Sequence, residues 1–164
     1  MKKQAPRTTE QRTAAALKSL ADKCSRKEYC TADIRQKLEY WELPEVENAK
    51  IMQFLQEHHF IDDSRYARNY AEDKFRFNHW GKQKIALMLR QKGISPDDIT
   101  EALQAIPEDN YAESCLAVLL QKQRTLDETD PYKRKAKLIR FALGKGFDFD
   151  TVQKCIDRLP EHDT

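Results

Sequence analysis

Residues 60–106 read FIDDSRYARNYAEDKFRFNHWGKQKIALMLRQKGISPDDITEALQAI, and three helices with their punctuation can be parsed from them. Asp62 or Asp63 can cap a first helix that carries Tyr66, Ala67, Tyr70, Ala71 and Phe75, with Ile61 placed as a hydrophobic staple. A second helix follows Trp80 and Gly81. It presents Ile85, Met88 and Leu89, and it stops at Lys92-Gly93, a basic residue and a glycine where a helix carboxyl end favours them. In Ser95-Pro96-Asp97-Asp98 the serine caps, the proline takes the first helical position and an acid stands three residues on. This is the strongest helix start in the chain.

The same unit recurs on both sides. Residues 1–8 read as a polar tail, and residues 9–59 as a first three-helix repeat. Its opening helix has Ala14, Leu17, Leu20 and Ala21 on one face. Thr31 is the expected cap of its second helix, with Ile34, Leu38 and Trp41 as the stripe, and Pro44 opens a third bearing Val46, Ile51, Phe54 and Leu55, which ends near His58 and His59. Residues 60–106 form the second repeat and 107–164 the third. Ile34, Ile85 and Leu138 correspond at separations of 51 and 53 residues, and Leu43, Ile94 and Phe147 follow as the apolar residue before each third helix. Such a period exceeds the roughly 34 residues of tetratricopeptide repeats and implies one three-helix module per repeat. The expected fold is all-α: three tandem three-helix repeats in an elongated, curved array, each repeat leaning on its neighbours for stability.

Composition agrees. The chain is 34% charged and 40% hydrophobic with only four glycines, which suits helices joined by short turns. Cys24, Cys30, Cys115 and Cys155 form no CxxC pair and match no zinc or disulfide framework, so free thiols are expected. No apolar run has the length of a signal-peptide core or of a membrane span, so the reading is a soluble, cytoplasmic protein with no membrane partner. Catalytic patterns are missing too. His58 and His59 are adjacent and face different sides of a helix, Asp62-Asp63 sits at a helix start, and no GxSxG, HExxH or phosphate loop occurs. The expectation is a non-enzyme with no catalytic residue, metal or cofactor.

Net charge is only +2, so any polyanion affinity depends on where the bases lie. Residues 74–92 hold Lys74, Arg76, Lys82, Lys84, Arg90 and Lys92 without an acid, and residues 133–145 hold Lys133, Arg134, Lys135, Lys137, Arg140 and Lys145, again without one. Both runs are read as covering the middle helix of a repeat. Between them, residues 95–114 hold acids and no base, and the first repeat is mixed. One reading is a solvated helix face that suits the dipole. The other is a pair of cationic helices aimed at phosphates or an acidic protein groove. Phe75, Phe77, Trp80 and Tyr132 lie among these bases and could pack in the core or stack on unpaired bases.

Phe60-Ile61-Asp62-Asp63, Tyr66-Ala67, Gly81, Ile85, Leu89 and Lys92-Gly93-Ile94 together resemble the RecX regulatory proteins of bacteria, over about residues 25–158. The resemblance implies three three-helix repeats, no enzymatic activity, and binding to the RecA recombinase filament on single-stranded DNA, with loss of filament growth, ATPase and strand exchange. The modest net charge favours a protein surface as the source of specificity, with single-stranded DNA as an auxiliary partner; the protein is expected to be a monomer, and the motif residues Phe60, Asp62, Asp63, Tyr66, Ala67, Gly81, Gly93 and Ile94 are expected to be mainly structural. The first repeat departs from the pattern, with Tyr40-Trp41-Glu42-Leu43 where the others have a Lys-Gly step, and the third has Ala142 where the second has Leu89. A stand-alone nucleic-acid-binding repeat and an inert protein scaffold are the competing function classes.

Overall fold

The computed structural model describes residues 7–161, and these contain nine α-helices and no strand. They are α1 (Thr9–Arg26), α2 (Thr31–Glu39), α3 (Glu45–Glu57), α4 (Asp63–Asn78), α5 (Lys82–Gln91), α6 (Pro96–Gln104), α7 (Glu108–Thr125), α8 (Pro131–Gly144) and α9 (Phe149–Asp157). Residues 1–6 of the expected polar tail lie outside the described ones. Thr8 belongs to the fold, because it caps α1 in a reciprocal capping box with Gln11. No described helix is long and apolar enough to cross a membrane.

The register read from the sequence is the register of the core. Ile34, Ile85 and Leu138 are all buried, as are Leu43, Ile94 and Phe147. The residue before each of the latter three, Glu42, Gly93 and Gly146, has a positive φ of 48°, 73° and 98°. Each middle helix therefore ends in the left-handed turn that glycine adopts freely and other residues only at a cost of about 1–2 kcal/mol. In the first repeat, where glutamate stands in for glycine, the Arg12 guanidinium donates to the carbonyls of Trp41 and Glu42 and holds that turn.

The chain divides into two compact bodies that do not coincide with the repeats. The first comprises residues through Tyr66 together with Lys92–Ile94. Its core is Ala16, Leu20, Ile34, Leu38, Leu43, Ile51, Leu55 and Ile61. Ala14 and Val46, expected on apolar faces, are exposed instead, and Ala16 takes the inner position of α1. Thr31 is not the cap of α2. Cys30 occupies that position, its N–H donating to Asp33 at 3.2 Å, and the Thr31 N–H donates to Asp63 at 2.8 Å. The two adjacent aspartates thus serve two helices: Asp62 caps its own α4 through the Arg65 N–H at 3.1 Å, and Asp63 caps α2. Arg65 adds a 2.8 Å ion pair with Glu28 and donates to the His59 carbonyl.

The second body comprises Ala67–Gln91 and residues from Ser95 on. Here α7, α8 and α9 pack on one another and α5 packs on α6. Ser95 caps α6 with Pro96 at its first position, as the sequence indicates. The start of α5 is finished by residues of the third repeat. Gly81 N–H donates to the Lys145 carbonyl at 2.7 Å, Gln83 N–H to the Gly146 carbonyl at 3.0 Å, and Lys82 N–H to the Tyr111 hydroxyl at 3.2 Å. These are the donors that a helix amino end leaves without an internal partner. A Cβ on Gly81 would lie 2.2 Å from backbone atoms of Gly146 and Phe147, so the family motif's Gly81 is there for contact and not for φ. Burial pushes the Tyr111 phenol up to about 12.

Candidate functional site

Helix amino ends carry partial positive charge, so acids belong in the first turn and bases oppose it by about 0.3–1 kcal/mol each. Seven of the nine described helices obey and have an acid there. The exceptions are α5 and α8. Lys82 and Lys84 open the one, and Lys133, Arg134 and Lys135 follow Pro131 in the other. A face that merely suited the dipole would have placed these bases at the opposite ends.

The acid-free runs do not map onto the middle helices alone. Lys74 and Arg76 lie on α4, which extends to Asn78, while Lys92 and Lys145 fall beyond the ends of α5 and α8. The twelve bases also divide by what they touch. Arg134 is not on the cationic face: it is 8% exposed, and its guanidinium donates to the carbonyls of Gln123, Leu126 and Glu128 at 2.7, 3.0 and 3.1 Å, closing the α7–α8 turn. Lys92 is engaged too, by Asp33 at 3.0 Å. That bond raises the Lys92 pKa, and at Asp33, where burial acts upward, the bonds from Lys92 and from Cys30 prevail and lower it. Arg76 pairs with Glu72 at 3.2 Å and Lys137 with Glu128 at 2.7 Å.

Lys74, Lys82, Lys84, Arg90, Lys133, Lys135, Arg140 and Lys145 are in no ion pair among the described residues. All eight belong to the second body. Lys74 and Lys84 lie 5.0 and 4.5 Å from the Trp80 ring, and Lys82 lies 4.8 Å from that of Tyr111. Lys145 donates to the Asn78 carbonyl at 2.8 Å. Trp80 is therefore covered by two ammonium groups and Phe75 packs 6.2 Å from Tyr111, whereas Phe77 and Tyr132 are 72% and 85% exposed. The Arg76 guanidinium lies 5.6 Å from the Phe77 ring centre, so of the four aromatics Tyr132 is the one with no cation or ring against it among the described residues.

The remaining motif residues pack. Ala67 and Ile94 are buried, Phe60 and Tyr66 half-buried, and Gly93 forms the left-handed end of α5. Three thiols are buried and Cys24 is half-buried; all four are free. Among the described residues no group of His, Cys, Asp or Glu could hold a metal ion. Sequence reasoning missed Tyr111 and Arg12, whose roles depend on partners some thirty residues away.

Three-helix modules in tandem, joined by one repeat completing another's helix ends and including two helices that open on bases, define a helical-repeat protein. Residues 62–103 match the profile described as RecX, second three-helix domain, and residues 108–156 that of RecX, third three-helix domain. The regulatory protein RecX of Prosthecochloris aestuarii is 32% identical over 81% of this chain and 85% of its own. That of Clostridium botulinum strain Eklund 17B is 37% identical over 75% of this chain, which spans only 58% of the clostridial protein's length. A crystal structure of regulatory protein RecX superposes with a TM-score of 0.83 at 28% identity, covering 91% of this chain and 73% of that one. RecX from Lactobacillus salivarius, at 19% identity and a TM-score of 0.85 over 92% and 97% of the two chains, shares the fold. The chain belongs to the RecX family of regulatory proteins.

Proposed function

We propose that the protein binds RecA filaments assembled on single-stranded DNA and restrains their growth, ATP turnover and strand exchange, acting as a monomer in the cytoplasm, without catalysis of its own and with DNA as an auxiliary partner. The observation that supports this reading most is the pair of helices, α5 and α8, that open on lysines against their own dipoles and keep those lysines free of carboxylates. Charge held at a local cost is explained by an external anion, whether an acidic side chain of the filament or a phosphate. The protein surface supplies the specificity, because sequence-independent DNA binding at physiological salt reaches only about 10⁻⁴ to 10⁻⁶ M.

The test is ATP hydrolysis by preformed RecA filaments with this protein titrated in. Substoichiometric protein slows turnover if bound molecules stop growth at filament ends, whereas an unrelated DNA-coating protein that matches the loss at equal coverage points to the stand-alone nucleic-acid binder. Reversing the exposed Arg90, Lys133, Lys135 and Arg140 to glutamate abolishes the effect and leaves the fold intact, since exposed substitutions usually stay within about 0.5 kcal/mol each. Reversing the exposed acids Glu39, Glu57, Asp127 and Asp157 to lysine spares it. Inhibition unchanged in the first variant removes α5 and α8 from the contact.

A further inference from the structure

A cleft of ≈ 280 Å³ lies within the second body, walled by the carboxyl half of α7, the end of α8 and the α4–α5 turn. Val118 and Phe141 supply its apolar lining, and the polar groups that reach it are His79, Gln121, Lys122, Thr125 and Lys145. No carboxylate lines it. The Thr125 hydroxyl is already committed to the Lys122 carbonyl at 3.2 Å, which leaves two ammonium groups, an imidazole and an amide.

The placing of the lysines is the informative part. The Lys122 ammonium rests 4.8 Å from the centre of the Phe141 ring, and Lys145 is half-buried, its ammonium tied to the Asn78 carbonyl. Neither has an ion-pair partner among the described residues, in contrast to Lys92 and Lys137, which have carboxylates. Burial, and then the Lys84 ammonium, push the Lys145 pKa down. A cation drawn out of water beside like charge is costly unless an anion completes the site. The anion is small, because the cleft lies just below the roughly 300–1,000 Å³ of pockets that enclose whole ligands. Donors that line one cleft from three segments suit a phosphate, with several acceptor oxygens in a tetrahedral array, better than a planar carboxylate with two.

We propose that this cleft binds a phosphate group, with Lys122 and Lys145 as its cationic ligands and His79 and Gln121 as further donors. The group is either a backbone phosphate of single-stranded nucleic acid or a free phosphate. The site gives a location to the auxiliary nucleic-acid contact of the proposed function and rests on that reading for its biological role. Its test contains no recombinase, so failure of one does not decide the other.

The full-length protein, labelled with ¹⁵N, is titrated at fixed ionic strength with a twelve-residue oligothymidylate, with inorganic phosphate and with hexaglutamate, and the amide resonances of His79, Gln121, Lys122 and Lys145 are followed. Shifts with both oligothymidylate and inorganic phosphate assign a site open to free phosphate, and shifts with oligothymidylate alone assign a backbone-phosphate site. Lys122→Gln and Lys145→Gln each flatten the dependence of log K on log salt for the oligonucleotide by about 0.7, the value of one phosphate contact on a single strand. The exposed Lys154→Gln on α9 leaves it unchanged. Should Lys145→Gln misfold through loss of its bond to Asn78, Lys122→Gln, whose ammonium only rests on a ring, still decides. Parental slope and affinity in the folded variants overturn the proposal, and so do equal or larger shifts with hexaglutamate.

Discussion

Replacing Gly81 by alanine places a methyl carbon 2.2 Å from the Gly146 carbonyl carbon and the Phe147 nitrogen, where no side-chain rotation can make room. Either α5 or the Gly146 turn must retreat by more than an ångström. Overpacking of this kind costs about 1–3 kcal/mol, and a purely backbone obstacle puts it at the upper end. The retreat also breaks the bonds from Gly81 N–H to Lys145 and from Gln83 N–H to Gly146, worth about 1 kcal/mol each. A loss of roughly 4 kcal/mol lowers the melting temperature of a chain this size by about 8–16 °C. Gly144→Ala is the matched control, because a Cβ there meets nothing within 4 Å and helix propensity improves by up to about 1 kcal/mol. Urea unfolding and thermal melts followed by circular dichroism measure both. The reasoning fails if Gly81→Ala melts within about 2 °C of Gly144→Ala, a gap equivalent to no more than about 1 kcal/mol.

Arg134→Met should cost about 2–4 kcal/mol, because three carbonyls lose a charged donor at the α7–α8 turn, while its neighbour Lys135→Met stays within about 0.5 kcal/mol; equal urea midpoints would remove Arg134 from the turn. Asp33, whose pKa is lowered in the fold, contributes stability above the ordinary carboxylate pKa that is lost as pH falls through the folded value, and Lys92, whose pKa is raised, contributes stability below the ordinary lysine pKa that is lost as pH rises through its own. Asp33→Asn therefore destabilises at pH 7 and shallows the acid limb of a stability–pH curve. An unaltered acid limb would show that the pair carries no linkage.

What the sequence discloses about this molecule is local. Ser95-Pro96-Asp97-Asp98 marks a helix start because every group involved lies within one turn, and the burial of Ile34, Ile85 and Leu138 follows from a spacing that repeats. Asp63 is different. Beside Asp62 it looks like a second cap for α4, and only the fold brings it to Thr31, 32 residues away. Arg134 stands among lysines and resembles them in charge, yet its spacing to Leu138 and Ala142, both buried, puts it on the inner stripe of α8, a signal present in the pattern and outweighed by the charge run. The phosphate cleft combines His79, Gln121, Lys122 and Lys145 from three segments, and no spacing rule links them.

The bonds between the α5 start and the Lys145–Gly146 turn bear on biosynthesis. The Gly81 N–H and the Lys145 carbonyl that accepts from it are 64 residues apart, an interval that a ribosome takes ~3–13 s to traverse at typical elongation rates. Throughout that wait α5 emerges with its first amides uncapped and with lysines facing its positive end, so it is the helix of the nascent chain least able to hold its amino end alone. Completion of the second repeat is thus postponed until the third has been translated, and a cell making this protein carries the basic segment exposed and unfinished for several seconds in every round of synthesis.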